Sequence, residues 1–291
     1  MPELSATAAP VPAGPPDYVQ LVATDVRREF GVRRNERHTA VDGVSLTVES
    51  GEAVGIVGES GSGKSTLARI LAGVDNATTG SVSFNGVAIR SQLRTRSDRL
   101  ALRRSVQMVA QDTSSSFDPL KTLRSSVRSP TMRLLGLGRD EADRRVEETL
   151  RSLELAPELA DRYPHQVSGG QRQRFALARA IVVRPGMLIC DEVVSALDVS
   201  VQGAVLNILR RHCQHSGAGL IFVSHGLPAT AFVSDRIVVM LRGRIVEDGR
   251  TEDVIHRPQH DYTKRLLAAY RGRPVPAGSG RPGTLSMRTA S

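Results

Sequence analysis

Cysteine is nearly absent from this 291-residue chain, which contains only Cys190 and Cys213. Two thiols are too few for a disulfide framework or for a cluster held by four cysteines. Tryptophan does not occur, and aromatic residues make up 3% of the chain. Proteins that bind single-stranded nucleic acid need more aromatic side chains than this for base stacking.

Long apolar runs are also missing. Stretches such as residues 220–223 and 237–241 fall far short of the roughly 18 residues that a membrane-spanning helix needs. Residues 1–17 lack the basic and apolar regions of a signal peptide. We therefore expect a cytoplasmic protein with a disordered N-terminal segment at 1–17.

Lysine is scarce, although the chain is basic. The net charge of +9 comes from 39 basic and 30 acidic residues, yet the only lysines are Lys64, Lys121 and Lys264. Summed positive charge attracts either nucleic acid or an anionic membrane face. Because no block of five or more like charges occurs, the sequence favours a membrane complex and no nucleic-acid partner.

Strand and helix patterns alternate along the chain. The predicted strands cover residues 19–26, 44–48, 53–57, 106–110, 187–190 and 220–223, with hairpins at 80–89 and 236–247. The predicted helices begin at Ser65 and then cover 140–155, 171–183, 199–212, 252–256 and 261–270. Strand patterns stop between 112 and 166, which indicates a helical insert. The alternation predicts an α/β fold with a mainly parallel sheet covered on both faces.

A first glycine turn, residues 58–65, follows the predicted strand 53–57 and precedes a helix. It fits GxxxxGK[ST], in which glycines let backbone N–H groups point at phosphate oxygens at a helix N-terminus. Lys64 is expected to bridge the β and γ phosphates of a nucleotide, and Ser65 to reach Mg²⁺. The residues predicted to bind nucleotide here are Gly58, Glu59, Ser60, Gly61, Ser62, Gly63, Lys64, Ser65 and Thr66.

Two carboxylates and a histidine supply the remaining chemistry. A P-loop nucleotidase needs one carboxylate near magnesium and a group that orients the attacking water. Asp191 and Glu192 directly follow the apolar run 187–190. We assign Asp191 to Mg²⁺ and Glu192 to the role of general base. His225 follows the strand 220–223 and is predicted to sense the γ-phosphate at the carboxyl edge of the sheet.

A second glycine turn, residues 168–171, also enters a predicted helix and forms another anion site. One mononucleotide has no need of two phosphate cradles. The second glycine turn is therefore expected to close over nucleotide that a partner subunit holds.

Together these motifs resemble those of the ATP-binding subunit of ABC transporters. Residues 58–65 are similar to the Walker A loop of that family, 188–192 to Walker B, 168–171 to the signature and 195–198 to the D-loop. The resemblance implies a P-loop α/β fold with a parallel core sheet, an antiparallel β portion and a helical subdomain. It also implies ATP and Mg²⁺ as cofactors, and two subunits, as a homodimer or a heterodimer, that enclose two ATP molecules.

The resemblance assigns further roles to single residues. Gln111 stands at the Q-loop position near magnesium and the reacting phosphate, His225 at the switch position, and Phe30 at the position of the aromatic residue that stacks on adenine. The residues implied to bind nucleotide across the subunit interface are Ser168, Gly169, Gly170, Gln171 and Asp198.

Residues 106–112 and 260–263 are similar to the ATPases of oligopeptide and dipeptide importers. This similarity implies peptide import with membrane permease subunits and, indirectly, a solute-binding protein, at the cytoplasmic side of the cell membrane. The expected organisation is an ATPase domain at 18–250 with its helical subdomain at about 112–166. An importer-type extension at 251–271 and a disordered tail at 272–291 follow it.

Three residues depart from the pattern of this subfamily: Ala110, Val193 and Gly226. None of them removes a predicted ligand to ATP or Mg²⁺. Glycine permits more backbone conformations than other residues, so Gly226 is expected to loosen the switch loop.

The sequence has alternative functional interpretations. A soluble ABC ATPase that acts on DNA or ribosomes usually has two cassettes or a long coiled-coil insert, and neither fits this chain. The ABC-like subunit of carbon–phosphorus lyase is a further alternative, and nickel chelates or glutathione are alternative solutes for an importer.

Overall fold

A computed structural model describes residues 18–32, 36–112, 116–195, 197 and 199–270. Residues 1–17 and 272–291, predicted to be disordered, lie outside the described residues. The strands in chain order are β1 (Gln20–Val32), β2 (Glu36–Glu49), β3 (Ala53–Val57), β4 (Thr79–Phe84), β5 (Val87–Ala88), β6 (Val106–Val109), β7 (Met187–Asp191), β8 (Gly219–Ser224), β9 (Arg236–Leu241) and β10 (Arg244–Arg250).

The helices flank these strands. In chain order they are α1 (Lys64–Leu71), α2 (Ile89–Gln92), α3 (Arg96–Ser105), α4 (Leu123–Leu135), α5 (Arg139–Ser152), α6 (Gly169–Ile181), α7 (Val199–Ser216), α8 (Leu227–Val233), α9 (Thr251–His256) and α10 (Asp261–Tyr270). Two short 3₁₀ helices, Pro157–Asp161 and Pro164–Gln166, connect α5 to α6.

The larger sheet of the described chain has the order β10-β9-β3-β8-β7-β6. Its strands from β9 to β6 are parallel, and β10 pairs antiparallel with β9 at the edge. Every residue of β3, β7 and β8 is buried, as expected for strands covered on both faces. The predicted parallel core sheet is confirmed, and it aligns the carboxyl ends of β3, β7 and β8 at one edge.

The smaller sheet is antiparallel, with the order β2-β1-β4-β5. Its inward residues, such as Leu21, Val41 and Leu46, join α1 and the buried face of the larger sheet in one apolar cluster. This sheet is the antiparallel β portion implied by the family resemblance.

Helices α4 and α5 occupy the stretch in which strand patterns stop. The hydroxyl of Thr122 accepts a hydrogen bond from the N–H of Ser125 at 3.3 Å and caps α4. Apolar residues of α4, α5 and α6, including Val127, Leu150 and Phe175, form part of a second buried cluster. Helix α6 therefore packs against α4 and α5.

Several predicted boundaries are wrong. The strands predicted at 19–26 and 44–48 are observed at Gln20–Val32 and Glu36–Glu49, because the pairing of the two strands continues to Val32 and Glu36. The added parts consist mainly of polar residues and glycine, so their apolar pattern is weak. The helix predicted at 199–212 runs to Ser216. Helices α3 and α8 were not predicted, since α3 buries only Leu102 and α8 is seven residues long with a proline near its start.

None of the helices in the described residues is both long enough and apolar enough to span a membrane.

Candidate nucleotide-binding site

The first glycine turn is enclosed by other parts of the chain. Backbone hydrogen bonds run from the N–H of Gly243 to the carbonyl of Ser62 at 3.0 Å, and from the N–H of Asp42 to the carbonyl of Gly243 at 2.9 Å. Gly63 has a φ of +98°, and a Cβ placed on it would lie 2.0 Å from the Ala40 carbonyl oxygen. Only glycine fits this position.

Lys64 begins α1 and is buried, with 4% of the residue exposed. Its ammonium donates hydrogen bonds to the carbonyl oxygens of Gly58 and Glu59, both at 2.8 Å. Burial lowers the pKa of Lys64, although the carboxylates of Glu192, Asp191 and Glu59 oppose that shift. The loop thus encloses a positive charge where the motif places the β and γ phosphates of a nucleotide.

Asp191 ends β7 and meets the hydroxyl of Ser65, which donates to Oδ1 at 2.9 Å. Burial is the main cause that raises the pKa of Asp191, and Glu192 adds to it, while the hydrogen bond from Ser65 opposes the shift. A buried carboxylate of this kind is stabilised in its charged form by a nearby cation.

The donor set around Asp191 fits Mg²⁺. This ion prefers oxygen ligands and is usually held by one or two carboxylates together with substrate phosphates. Asp191, Ser65 and the amide oxygen of Gln111 are the ligands that this chain would offer. In the part of the chain that is described, no cluster of three or more His, Cys, Asp or Glu residues offers an alternative metal site.

Glu192 follows β7 in a left-handed backbone conformation, with a φ of +50°. Such a conformation is costly for a residue with a side chain, and hydrogen bonds hold it here. The N–H of Glu192 donates to the carbonyl of Val223 at 2.9 Å, and the Ser195 hydroxyl donates to the carbonyl of Glu192 at 2.9 Å. The backbone of Glu192 is therefore held by β8 and by the turn after β7.

Gln111 and His225 meet the carboxylate of Glu192 from two sides. The amide nitrogen of Gln111 donates to Oε2 at 2.7 Å, and Nδ1 of His225 lies 3.6 Å from Oε1. Five residues predicted from four separate motifs thus lie together at the carboxyl edge of the sheet: Ser65, Gln111, Asp191, Glu192 and His225.

Gly226 does not require glycine's special backbone freedom in this structure. It has a φ of −92° and precedes α8, and its N–H donates to the Ser224 hydroxyl at 2.9 Å. The expected loosening of the switch loop at Gly226 stays a prediction.

Phe30 lies on β1 and is about one-third exposed. The guanidinium of Arg28 lies 4.6 Å from the centre of its ring and also pairs with Asp75 at 3.0 Å. An exposed ring beside a cation is compatible with stacking on a nucleotide base. Among the described residues, no hydrogen bond or ion pair joins Phe30 to the five residues at the sheet edge.

The second glycine turn is open. Ser168 and Gly169 are exposed, and a Cβ on Gly169 would meet nothing within 4 Å. A capping box organises the turn: the N–H of Gln171 donates to the Ser168 hydroxyl at 3.2 Å, and the N–H of Ser168 donates to Oε1 of Gln171 at 3.0 Å. Asp198, predicted to act beside this turn, lies outside the described residues.

Two contacts to the site were missed from the sequence. The hydroxyl of Tyr262 accepts a hydrogen bond from the N–H of Glu59 at 2.8 Å, and the hydroxyl of Tyr270 donates to the carbonyl of His225 at 2.5 Å. The similarity at 260–263 pointed to this segment, but no local pattern indicates which residues it contacts.

Comparison with known proteins identifies the family of this chain. A family model described as "ABC transporter" matches residues 41–195, more than half of the chain. The oligopeptide transport ATP-binding protein OppF of Lactococcus lactis is 40% identical over 245 residues, which are 84% of this chain and 76% of that protein. The chain therefore belongs to the ABC transporter family, as a subunit that binds nucleotide and hydrolyses ATP.

A second relative and a solved structure extend the comparison. The di/tripeptide transport ATP-binding protein DppF of Pseudomonas aeruginosa is 39% identical over 86% of this chain and 78% of its own length. A dimeric ATP-binding cassette, solved in a post-hydrolysis state with ADP and phosphate, aligns with a TM-score of 0.73 at 27% identity. The alignment covers 79% of this chain and 98% of that one.

Proposed function

We propose that this chain is the ATP-hydrolysing subunit of an importer for oligopeptides or dipeptides. The observation that carries the catalytic part is the contact of Glu192 with both Gln111 and His225, beside the pair formed by Ser65 and Asp191. The peptide part is supported by the names of the relatives, which are ATP-binding proteins of oligopeptide and di/tripeptide transport.

In the proposed reaction, Lys64 and the backbone of the first glycine turn hold the β and γ phosphates. Glu192 accepts a proton from a water molecule, whose oxygen attacks the γ-phosphorus while the bond from that phosphorus to the β–γ bridging oxygen breaks. The products are ADP and phosphate. Gln111 and His225 orient the Glu192 carboxylate, and Mg²⁺ held near Asp191 and Ser65 would offset negative charge on the phosphates.

We further propose that two ATPase subunits pair, with the second glycine turn of each one facing the nucleotide of the other. The exposed and capped state of Ser168 and Gly169 supports this proposal, as does the dimeric state named for the solved cassette. The pair would work on permease subunits at the cytoplasmic side of the membrane.

The substitution Glu192→Gln tests the catalytic proposal. Because the amide keeps the shape of the side chain but loses the base, we expect ATP affinity within about twofold of wild type and turnover lower by a factor on the order of 100 or more. Purified variants would be compared by fluorescent-nucleotide titration and phosphate release. Glu141→Gln, an exposed carboxylate of α5, is the matched control. Turnover near the wild-type rate in Glu192→Gln would remove Glu192 from its role.

Transport tests the solute. The subunit would be purified with its permease complex, reconstituted in vesicles, and supplied with labelled dipeptides, oligopeptides, glutathione or a nickel chelate. We expect peptide uptake that requires ATP and stops in Glu192→Gln. Uptake of only the chelate, or of none of these solutes, would contradict the proposed substrate class.

A further inference from the structure

Helix α10, the last helix of the described chain, contacts both loops that form the nucleotide site. Tyr262 lies in its first turn and reaches the first glycine turn, whereas Tyr270 ends it and reaches the loop after β8. The two tyrosines are eight positions apart in the helix, which corresponds to roughly 12 Å along its axis. A single rigid element thus spans two parts of the site that are distant in sequence.

The contact of Tyr262 is buried and specific. Only 3% of the residue is exposed, and it belongs to the same buried cluster as Val57, the last residue of β3 before the first glycine turn. Burial raises the pKa of Tyr262, so its hydroxyl stays neutral near pH 7. A neutral hydroxyl accepts the N–H of Glu59 and keeps a proton of its own.

Glu59 links Tyr262 to Lys64. The N–H of Glu59 donates to the tyrosine hydroxyl at 2.8 Å, and the carbonyl of the same residue accepts from the Lys64 ammonium at 2.8 Å. Both polar groups of one backbone unit are therefore fixed, one by α10 and the other by the lysine predicted to bind phosphate. A shift of α10 would change the geometry from which Lys64 must reach its ligand.

Glu247 of β10 holds the start of α10. Its carboxylate accepts the N–H groups of Gln259 at 2.8 Å and His260 at 3.0 Å. Burial raises the pKa of Glu247, but the nearby Thr263 side chain and the hydrogen bonds from the N–H groups of Gln259 and His260 outweigh burial and lower the pKa below its ordinary value. The charged anchor is therefore present at neutral pH, at the positive end of the helix dipole.

We propose that α10 is an intramolecular clamp on the nucleotide site. Tyr262 is a positioning residue for the first glycine turn, and Tyr270 is a positioning residue for the loop that carries His225. This inference rests on the proposed roles of Lys64 and His225. It gives a function to residues 259–270, which lie outside the nucleotide-binding motifs.

Removing each tyrosine hydroxyl in turn separates the contribution of Tyr262 from that of Tyr270. Tyr262→Phe keeps the buried ring but leaves the N–H of Glu59 unpaired, so we expect the KM and the Kd for ATP to rise by about three- to tenfold with little change in kcat. Tyr270→Phe releases the carbonyl of His225, so we expect kcat to fall by about two- to fivefold with KM unchanged. Nucleotide titration and steady-state hydrolysis measure both effects.

Two further variants separate positioning from a loss of stability. Tyr18→Phe removes an exposed hydroxyl that accepts a hydrogen bond from Gln20, and it should leave KM and kcat unchanged. Glu247→Ala releases the start of α10 and should raise KM as Tyr262→Phe does. The double variant should add little, because both changes act on the same contact.

The result that overturns the clamp is an unchanged ATP affinity in Tyr262→Phe, or equal changes of KM and kcat in both tyrosine variants. Lys64→Ala keeps that failure distinct from failure of the proposed function. If Lys64→Ala loses ATP binding while Tyr262→Phe does not, the nucleotide site stands and the clamp is wrong. If Lys64→Ala binds ATP as tightly as wild type, the role of Lys64, on which the clamp rests, is wrong as well.

Discussion

The first and second glycine turns both precede a helix, but different contacts hold them in place: distant parts of the chain hold the first, and local side chains hold the second. The first is enclosed by β2, by the turn between β9 and β10 and by α10, and its helix has no side-chain cap. The second is exposed and is organised by its own Ser168 and Gln171. The first glycine turn is therefore enclosed by other elements of the same chain, whereas the second has an ordered backbone that is exposed to solvent.

This difference supports the proposal that the two turns contact different nucleotides. Backbone that is fixed by many non-local contacts is preorganised for a nucleotide bound by the chain itself. An exposed turn with its cap in place has backbone N–H groups at a helix N-terminus, which form one side of an anion site. A nucleotide held by a second subunit would complete it.

Replacement of glycine by alanine should be strongly destabilising in the first glycine turn and nearly neutral in the second. In Gly63→Ala the added methyl would collide with the Ala40 carbonyl at a positive φ, so we expect a loss of about 3 kcal/mol in unfolding free energy and loss of ATP binding. In Gly169→Ala the methyl enters open space, and stability should change by less than about 0.5 kcal/mol. Denaturant unfolding of both variants measures this difference, and equal losses would contradict it.

The isolated chain should depend on the first glycine turn for ATP. Lys64→Ala removes the only lysine predicted to contact the β and γ phosphates, so we expect affinity to fall by a factor on the order of 100. Lys121→Ala, which removes an exposed lysine paired with Asp118, is the matched control. Nucleotide titration that finds equal affinity in Lys64→Ala and wild type would refute the phosphate assignment.

The second glycine turn should matter only after assembly. In Gly169→Asp a carboxylate would face the γ-phosphate of the partner's nucleotide, and like charges repel strongly where water is scarce. We expect unchanged ATP affinity in the isolated variant and a loss of about tenfold or more in the turnover of the assembled complex.

Gly138→Asp is the control for this variant. Gly138 also stands at the start of a helix in open space, so it tests the effect of a new carboxylate alone. Weakened ATP binding by the isolated Gly169→Asp chain, or full activity in the complex, would show that the turn does not act across an interface.

Elements and site residues could be predicted from the sequence where a local apolar pattern coincides with a residue type that the chemistry requires. Strand Ala53–Val57 and helix Asp261–Tyr270 were predicted with their observed bounds, and Asp191 and Glu192 lie at a strand end as expected. Prediction failed where structure depends on distant partners. The second half of β1 and the first half of β2 are strands because they pair with each other, and α3 buries only Leu102, so neither has a continuous apolar pattern.

The site shows the same limit. The motifs identified Lys64, but they could not indicate that Tyr262, 203 positions from Glu59 in the chain, would hold the backbone beside it. Contacts of this kind arise from packing of whole elements, and a single sequence contains no periodic signal for them.

The smallest expected effect concerns the cap of the second glycine turn. Ser168→Ala removes the acceptor of the Gln171 N–H, so we expect α6 to lose about 1 kcal/mol of stability. Ser168→Thr keeps a hydroxyl at the same position and should recover most of that loss. If the turn is held by its own side chains, turnover of the assembled complex should fall in Ser168→Ala while ATP affinity of the isolated chain stays constant. A drop in that affinity would mean that the two turns are coupled within one chain and do not act on separate nucleotides.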